Sequence, residues 1–192
     1  MNGTAKRLVV GISGASGALL AVDLLEVLRA LNHWETHVIA TPSALTTLAH
    51  ELPERKDAYR ELADRYYDND DIGATIASGS FPVAGMVVVP CSMKTVAGIH
   101  SGYSENLLLR AADVTVKERR LLILVARETP LSPIHLRNMS DLAALGIIIM
   151  PSMMTFYGMP DSIGRMVRQI TGKILSVFGE EAEGYCRWDG IE

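Results

Sequence analysis

Short apolar runs alternate along this chain with longer segments in which apolar residues recur every three or four positions. This alternation is typical of an α/β fold in which helices cover both faces of a buried parallel sheet. We predict strands at residues 7–12, 36–40, 86–90, 121–126 and 147–150. We predict helices at residues 16–32, 42–51, 54–67, 106–118, 132–145 and 161–178. The expected architecture is a doubly wound, Rossmann-like parallel sheet in three layers, α/β/α.

Residue-type signals mark several of the predicted helix ends. Ser132 stands at an N-cap position with Pro133 at the first helical position, and Asp161 is placed to cap the last helix. Gly179 follows that helix as a C-terminal stop. Because no linker, repeat or change of composition divides the sequence, we predict a single domain over residues 1–192. Doubly wound folds bind ligands at the carboxyl ends of their strands, so the loops there are expected to carry the chemistry.

Composition and charge narrow the class of protein. Of the 192 residues, 48% are apolar and 21% are charged, which excludes a disordered chain. The 18 basic and 22 acidic residues give a net charge of −4. Nucleic-acid binding is not expected, because binding a phosphate backbone requires a basic face. The longest apolar runs stop far short of the ~20 residues of a membrane-spanning helix. Two cysteines and five histidines lack the spacing of a disulfide framework or metal site. We therefore expect a cytoplasmic protein without membrane, nucleic-acid or metal partners.

The loop after the first predicted strand is rich in glycine. It reads Gly-Ile-Ser-Gly-Ala-Ser-Gly at 11–17, just before a predicted helix whose N-terminus favours an anion. Its GxxGxxG spacing differs from both the dinucleotide and the Walker motifs. The loop either binds a phosphate or makes a tight turn that needs glycine torsions.

A second loop, Pro-Cys-Ser-Met-Lys-Thr at 90–95, directly follows the strand at 86–90. Its two hydroxyls and its ammonium group suit a phosphate or the polar edge of a flavin. Alternatively, or in addition, Ser92 caps the next helix. No histidine is paired with Cys91 in the sequence, so we interpret this residue as a small buried side chain instead of a nucleophile.

Two further loops carry charged or aromatic groups. Arg-Glu-Thr-Pro-Leu at 127–131 places a charged pair straight after a strand, and Thr-Phe-Tyr at 155–157 follows the last one. Arg110 and Lys117 are seven residues apart, which is two helical turns, so they either face one site or belong to a solvated basic helix. Together the four loops indicate a site for a ligand with a phosphate and a flat ring.

These segments resemble the flavin prenyltransferases of the UbiX/Pad1 family. The matching segments, in their usual order, are GISGASG at 11–17, SGSF at 78–81, PCSMKTVAGI at 90–99, RAADVTVKERR at 110–120, RETPLSPIHLRNM at 127–139 and FY at 156–157. The resemblance implies a flavodoxin-like homo-oligomer, typically a dodecamer, that binds FMN between subunits and needs no metal. It implies transfer of a dimethylallyl group from dimethylallyl phosphate to N5 and C6 of reduced FMN. The prenylated FMN would serve a UbiD-type aromatic acid decarboxylase.

The resemblance also assigns roles to individual positions. It implies flavin binding by Gly14, Ala15, Ser16, Thr41, Ser92, Met93, Lys94, Thr95 and Arg127. It implies donor binding by Tyr157 and Lys173, and further active-site charges at Arg110, Lys117, Glu128 and Glu51. The cations can absorb the charge of the leaving phosphate, and Glu128 is the expected proton carrier. An allyl cation favours aromatic walls, for which Phe81, Tyr157 and Trp188 are candidates. Ser16 is expected near flavin N5.

The chain departs from the family pattern at two places, and alternatives stay open. Residues 151–157 lack the usual proline-rich motif, and Gly158 and Met159 follow instead of a polar pair. Lys173 stands where arginine is frequent, which keeps the charge but loses bidentate geometry. The alternatives are a non-catalytic FMN carrier for a decarboxylase and a flavin-dependent cysteine decarboxylase, although the chain lacks the asparagine of the PxMN segment typical of the latter. We also expect residues 180–192 to form an arm at a subunit interface.

Overall fold

The fold is built on a sheet of six parallel strands. A computed structural model describes residues 5–188 and residue 190. The strands are β1 Lys6–Ile12, β2 Trp34–Ala40, β3 Arg65–Asp68, β4 Gly85–Cys91, β5 Leu121–Ala126 and β6 Ile148–Ile149. Their order in the sheet is β3-β2-β1-β4-β5-β6, and every pair is parallel. The order reverses between β1 and β4, so a ligand crevice is expected at the carboxyl ends of these two strands.

Helices cover both faces of the sheet. They are α1 Ala18–Leu31, α2 Pro42–Glu51, α3 Ala58–Glu61, α4 Met93–His100, α5 Leu107–Lys117, α6 Pro133–Ala144 and α7 Ile163–Val177, with 3₁₀ turns at Pro53–Arg55 and Thr75–Ala77. Helices α1, α2, α3 and α7 pack into one apolar cluster, and α4, α5 and α6 pack into a second on the opposite face. The predicted doubly wound, three-layer α/β fold is confirmed.

Strand β4 shows why the chain folds around this sheet. All seven residues of Gly85–Cys91 are buried, as expected for a central parallel strand covered on both faces. Because side chains alternate along a strand, Val87 and Val89 join one core cluster while Met86 and Val88 join the other. The continuous apolar run in the sequence is therefore shared between the two layers.

The predicted caps and stop signals are confirmed except at the start of α7. Ser132 accepts a hydrogen bond from the backbone N–H of His135 and caps α6, with Pro133 at its first position. Gly179 follows α7 with a φ of +79°, a left-handed conformation that favours glycine. The prediction that Asp161 caps α7 is wrong. Ser162 accepts the N–H of Arg165 instead, while Asp161 pairs with the Arg165 side chain.

The predicted helix at 54–67 is also wrong. This stretch holds a 3₁₀ turn, the single turn α3 and the edge strand β3, which pairs with β2. The Asp64 carboxylate accepts hydrogen bonds from the backbone N–H of Thr36 at 2.7 Å and from its hydroxyl at 2.9 Å. This contact holds the chain beside β2, so pairing with a distant strand overrides the helical spacing of the charges.

Within residues 5–188 and 190, no helix combines the length and the apolar character that crossing a membrane requires.

Candidate active site

The glycine-rich loop at 11–17 lies where β1 passes into α1, against the loop that follows β4. The Ser13 hydroxyl donates to the Pro90 carbonyl at 2.8 Å and accepts from the Ser92 backbone N–H at 2.8 Å. A Cβ atom at Gly14 would lie 2.4 Å from the Cβ of Ser43, so only glycine allows α2 to approach this closely. The loop thus joins the two halves of the sheet at the switch point.

The N-terminus of α1 is capped by a carboxylate from the end of α2. Glu51 accepts hydrogen bonds from the backbone N–H groups of Gly17 at 3.0 Å and Ala18 at 2.8 Å. Burial acts to raise the pKa of Glu51, but hydrogen bonds from the Ser16 side chain and these N–H groups, with the charge of Arg127, lower it overall. Glu51 is therefore ionised, and it occupies N–H groups that a ligand phosphate would otherwise use.

A cavity of about 430 Å³ opens at the carboxyl ends of β1, β2 and β4. It brings together five of the residues predicted to bind flavin, namely Gly14, Thr41, Ser92, Lys94 and Thr95. Its lining comprises Ser13, Gly14, Thr41, Pro42, Ser43, Asn69, Ser92, Lys94, Thr95, Asn106, Leu108 and Leu109. We call it the polar cavity, because eight of its twelve lining residues carry a hydroxyl, amide or ammonium group.

Three helix N-termini border the polar cavity, each capped by a side chain. Thr41 accepts from the N–H of Ala44 at the start of α2, and Ser92 accepts from the N–H of Thr95 at the start of α4. Asn106 does the same for Leu109 at the start of α5. With the ammonium group of Lys94 added, the wall favours an anion such as a phosphate. The interpretation of Ser92 as a helix cap is confirmed, and the same residue lines the cavity, while its binding of a ligand stays a prediction.

Besides Ser13, which lies in the glycine-rich loop, sequence reasoning missed three polar members of this wall, namely Ser43, Asn69 and Asn106. A signal existed for two of them, since Ser43 follows a Thr-Pro helix start and Asn106 precedes an apolar run. Asn69 directly follows β3, and predicting a helix at 54–67 in place of this strand left it without the position of a residue after a strand. Its carbonyl and its side-chain oxygen accept the N–H groups of Leu107 and Leu108, at 2.7 and 3.2 Å, and so hold the start of α5.

A second cavity, of about 440 Å³, lies beside the first where β5 and β6 end. It is lined by Met93, Ala126, Arg127, Glu128, Thr129, Leu131, Met139, Pro151, Ser152, Met153 and Met154. Met93 faces this cavity while its neighbours Ser92 and Lys94 face the polar cavity, so the first turn of α4 lies between the two. We call it the apolar cavity, since methionine side chains surround a single Arg-Glu pair there.

The loop after β5 is held by backbone contacts that present its charged pair. The Arg127 N–H donates to the Cys91 carbonyl at 3.0 Å, and the Glu128 carboxylate accepts from the N–H of Thr129 at 3.1 Å. Both side chains are exposed at the cavity. Cys91 is fully buried beside them, as predicted, and burial raises the pKa of its thiol.

Tyr157 and Lys173 lie outside both cavity walls. The Tyr157 ring, 47% exposed, meets the Trp188 ring edge to face with centroids 5.4 Å apart. Lys173 lies on the exposed face of α7. Their donor-binding roles stay predictions.

Phe81, Arg110 and Lys117 sit on a different part of the molecule. The Arg110 guanidinium donates to the Ala77 carbonyl at 3.2 Å and pairs with Asp113, and Lys117 pairs with Glu118. The ring of Phe81 packs between Arg7 and His37, on the face of the sheet covered by α5. None of the three lines either cavity of the described chain. Arg110 and Lys117 do share one side of α5, as their spacing predicted.

In the part of the chain that the structure describes, no three His, Cys, Asp or Glu side chains are placed to hold a metal ion.

Comparison with known proteins identifies what this arrangement is similar to. The profile of the Flavoprotein family matches residues 2–175. A probable UbiX-like flavin prenyltransferase of Sedimentibacter hydroxybenzoicus is 47% identical over 186 residues, which is 97% of this chain and 98% of that protein. The Lactiplantibacillus plantarum flavin prenyltransferase LpdB is 50% identical over 185 residues, 96% of this chain and 99% of that protein.

Solved structures agree with the sequence comparison. A structure of AnUbiX (PadA1) in complex with FMN and dimethylallyl pyrophosphate superposes with a TM-score of 0.95 at 45% identity, covering 98% of this chain and all of that one. A dodecameric FMN-dependent UbiX-like decarboxylase from Escherichia coli O157:H7 gives 0.94 at 45% identity, covering 96% and 100%. The FMN-dependent cysteine decarboxylase TvaF shares the fold alone. It superposes with a TM-score of 0.60 at 18% identity, covering 75% of this chain and 88% of that one.

Proposed function

This chain belongs to the UbiX/Pad1 family of flavin prenyltransferases, and from that premise we propose that it transfers a dimethylallyl group from dimethylallyl phosphate to N5 and C6 of reduced FMN. The observation that carries the proposal is the pair of adjacent cavities. One has a wall rich in hydroxyl and amide groups with Lys94, the other has an apolar wall with Arg127 and Glu128, and the first turn of α4 contributes to both.

The polar cavity suits FMN in its chemistry. The hydroxyls of Thr41, Ser92 and Thr95 with the ammonium group of Lys94 suit the FMN phosphate. Bound reduced FMN supplies the nucleophilic N5 and C6 atoms to which the dimethylallyl carbons become attached. Glu51, by binding the N-terminus of α1 and the Ser16 side chain, orients Ser16 toward the flavin.

We assign binding of the dimethylallyl phosphate to residues of the apolar cavity together with Tyr157, Lys173 and Trp188. When the bond between the allyl carbon and the phosphate oxygen breaks, the phosphate leaves with the electron pair, and Arg127 and Lys173 stabilise its charge with the Tyr157 hydroxyl. Methionine side chains and the Tyr157 and Trp188 rings keep water from the allyl group. The proton that N5 loses on bonding to the allyl carbon goes to the departing phosphate. Glu128, exposed at the cavity and held by the Thr129 N–H, gives a proton to the remaining double bond, so that its tertiary carbon bonds to C6, and takes back the proton that C6 releases.

We propose that the protein is a homo-oligomer, specifically a dodecamer, and that its remaining active-site cations act across the contact between subunits. Arg110 and Lys117 lie away from both cavities of their own chain, so they complete the site of a neighbouring subunit. Exposed Met153, Met154 and Phe156 beside the apolar cavity form the kind of apolar surface that subunit contacts cover. We propose further that the prenylated FMN passes to a UbiD-type aromatic acid decarboxylase, and that the protein, with both cysteines free, acts in the cytoplasm.

The proposal is tested by the mass of the flavin. The pure protein is incubated anaerobically with reduced FMN and dimethylallyl phosphate, and we expect the flavin to gain one dimethylallyl unit. Glu128→Gln should lower the turnover at least tenfold, about 1.4 kcal/mol in activation free energy, while FMN binding is retained. Glu54→Gln, an exposed acid outside both cavities, is the matched control. An unchanged flavin mass with this and with longer prenyl donors would contradict the proposal and favour an FMN carrier.

A further inference from the structure

The C-terminal segment at 182–188 runs back along α7 toward Tyr157. It begins with a turn in which the Tyr185 N–H donates to the Ala182 carbonyl at 3.1 Å. Gly184, in that turn, has a φ of +82°, which side chains other than glycine rarely adopt. The Ala182 side chain is buried against the core, so the segment is anchored at its start.

Gln169 of α7 clamps this segment with both ends of its amide group. Its Nε2 donates to the Gly184 carbonyl at 2.9 Å, and its Oε1 accepts from the Cys186 N–H at 3.1 Å. The residue is only 8% exposed, so these hydrogen bonds replace those that water would make. The neighbouring Arg168 adds a hydrogen bond to the Glu183 carbonyl at 2.8 Å.

Close packing fixes the path of the segment on two sides. A Cβ atom at Gly172 would lie 2.4 Å from the Cβ of Tyr185, so the tyrosine side chain rests directly on the α7 backbone. On the other side, a Cβ atom at Gly158 would lie 3.5 Å from the Cβ of Cys186, which brings the segment against the loop that carries Tyr157. Two residues after Cys186, Trp188 then meets the Tyr157 ring.

We propose that Gln169 is a positioning residue, which docks the segment at 182–188 on α7 and thereby holds Trp188 against Tyr157 at the donor site. The inference rests on the proposed function, since that function places the donor phosphate at Tyr157. Gln169 lines neither the polar nor the apolar cavity, so its loss acts on donor binding through Trp188 and leaves the flavin site intact.

Tryptophan fluorescence measures the docking without any reference to activity. The chain has two tryptophans, of which Trp34 is buried and Trp188 is 55% exposed. In a Trp34→Phe background Trp188 is the sole reporter, and we expect Gln169→Leu to raise its acrylamide quenching constant about twofold. Hydrogen exchange of the otherwise unaltered chain gives a second measurement, in which Gln169→Leu should accelerate exchange of the Cys186 amide.

Two further variants separate the clamp from its surroundings. Gln169→Glu keeps an acceptor for the Cys186 N–H and loses the donor to Gly184, so its quenching should lie between those of the parent and Gln169→Leu. Arg165→Gln is the matched control, because Arg165 lies one turn earlier on α7, borders the same groove of the surface and pairs with Asp161 instead of the segment. It should leave quenching and exchange unchanged.

Steady-state kinetics then test the consequence for the donor. We expect Gln169→Leu to raise KM for dimethylallyl phosphate about tenfold, to lower kcat less than threefold and to leave FMN affinity unchanged. Unchanged quenching and exchange in Gln169→Leu would overturn the docking. Increased quenching with an unaltered KM would overturn the link to the donor. An inactive parent protein would overturn the proposed function, and with it the link to the donor, while quenching would still decide the docking.

Discussion

The cap that Glu51 places on α1 predicts an acid-dependent contribution to stability. The substitution Glu51→Gln keeps the length of the side chain and one oxygen acceptor, but it removes the charge. In the protein the carboxylate faces the N–H groups of Gly17 and Ala18 at 3.0 and 2.8 Å, at the positive end of a helix of 14 residues. The substitution therefore isolates the charge of the cap from its shape.

The size of the effect follows from the kind of contact. An N-cap contributes about 1 kcal/mol, and a charge at a helix N-terminus adds roughly 0.3–1 kcal/mol where solvent reaches it, as it does here. Since glutamine retains part of the cap, we expect Glu51→Gln to lower the free energy of unfolding by about 1 kcal/mol at pH 7.

The pH dependence has a definite sign. The pKa of Glu51 is lowered in the folded protein from its ordinary value of 4.5. A carboxyl group of this kind stabilises the fold fully above its ordinary pKa, and the stabilisation is lost as the pH falls through the lowered value. The difference between the parent protein and Glu51→Gln should therefore be constant from pH 7 to about 5 and shrink as the pH falls below about 4.

Urea unfolding at a series of pH values measures this difference. Protein concentration must be held constant, because assembly into an oligomer makes the apparent stability depend on it. Glu54→Gln, an exposed acid one turn beyond α2, is the control and should match the parent at every pH. Equal stability of Glu51→Gln and the parent at pH 7, or a difference that does not change with acid, would refute the assigned cap.

Three other substitutions test further contacts. Gly14→Ala brings a Cβ to 2.4 Å from that of Ser43, so α2 must shift and the FMN dissociation constant, followed by flavin fluorescence, should rise at least tenfold. Asp23→Asn leaves the buried end of the Arg168 ion pair uncharged, and urea unfolding should show a loss of about 2–3 kcal/mol. Lys94→Ala removes a cation from the polar cavity, so FMN binding should weaken about tenfold and depend less on salt.

Much of the secondary structure was predictable because its signals are local. The helix at 42–51 and the strand at 121–126 have the predicted bounds, and Ser92 and Ser132 cap the helices that follow them. Capping and apolar periodicity depend on residues a few positions apart, so one sequence is enough to find them.

The stretch at 54–67 shows where local signals fail. Its charges have helical spacing, but Asp64 finds Thr36 on a strand 28 residues earlier, and β3 pairs with β2. An edge strand of four residues has little apolar pattern of its own, so its pairing depends on the neighbour. The same error concealed Asn69 in the wall of the polar cavity.

The sequence alone predicts five of the six strands, the glycines that permit close approach, and the loops that carry hydroxyl, cationic and aromatic groups. Which of these groups meet depends on the tertiary structure. It placed Glu51 on α1, clamped Gly184 and Cys186 on Gln169, and turned Arg110 away from the cavities of its own chain. Such contacts join residues that are distant in sequence, and their geometry follows from how whole helices pack on the sheet, which local residue patterns do not encode.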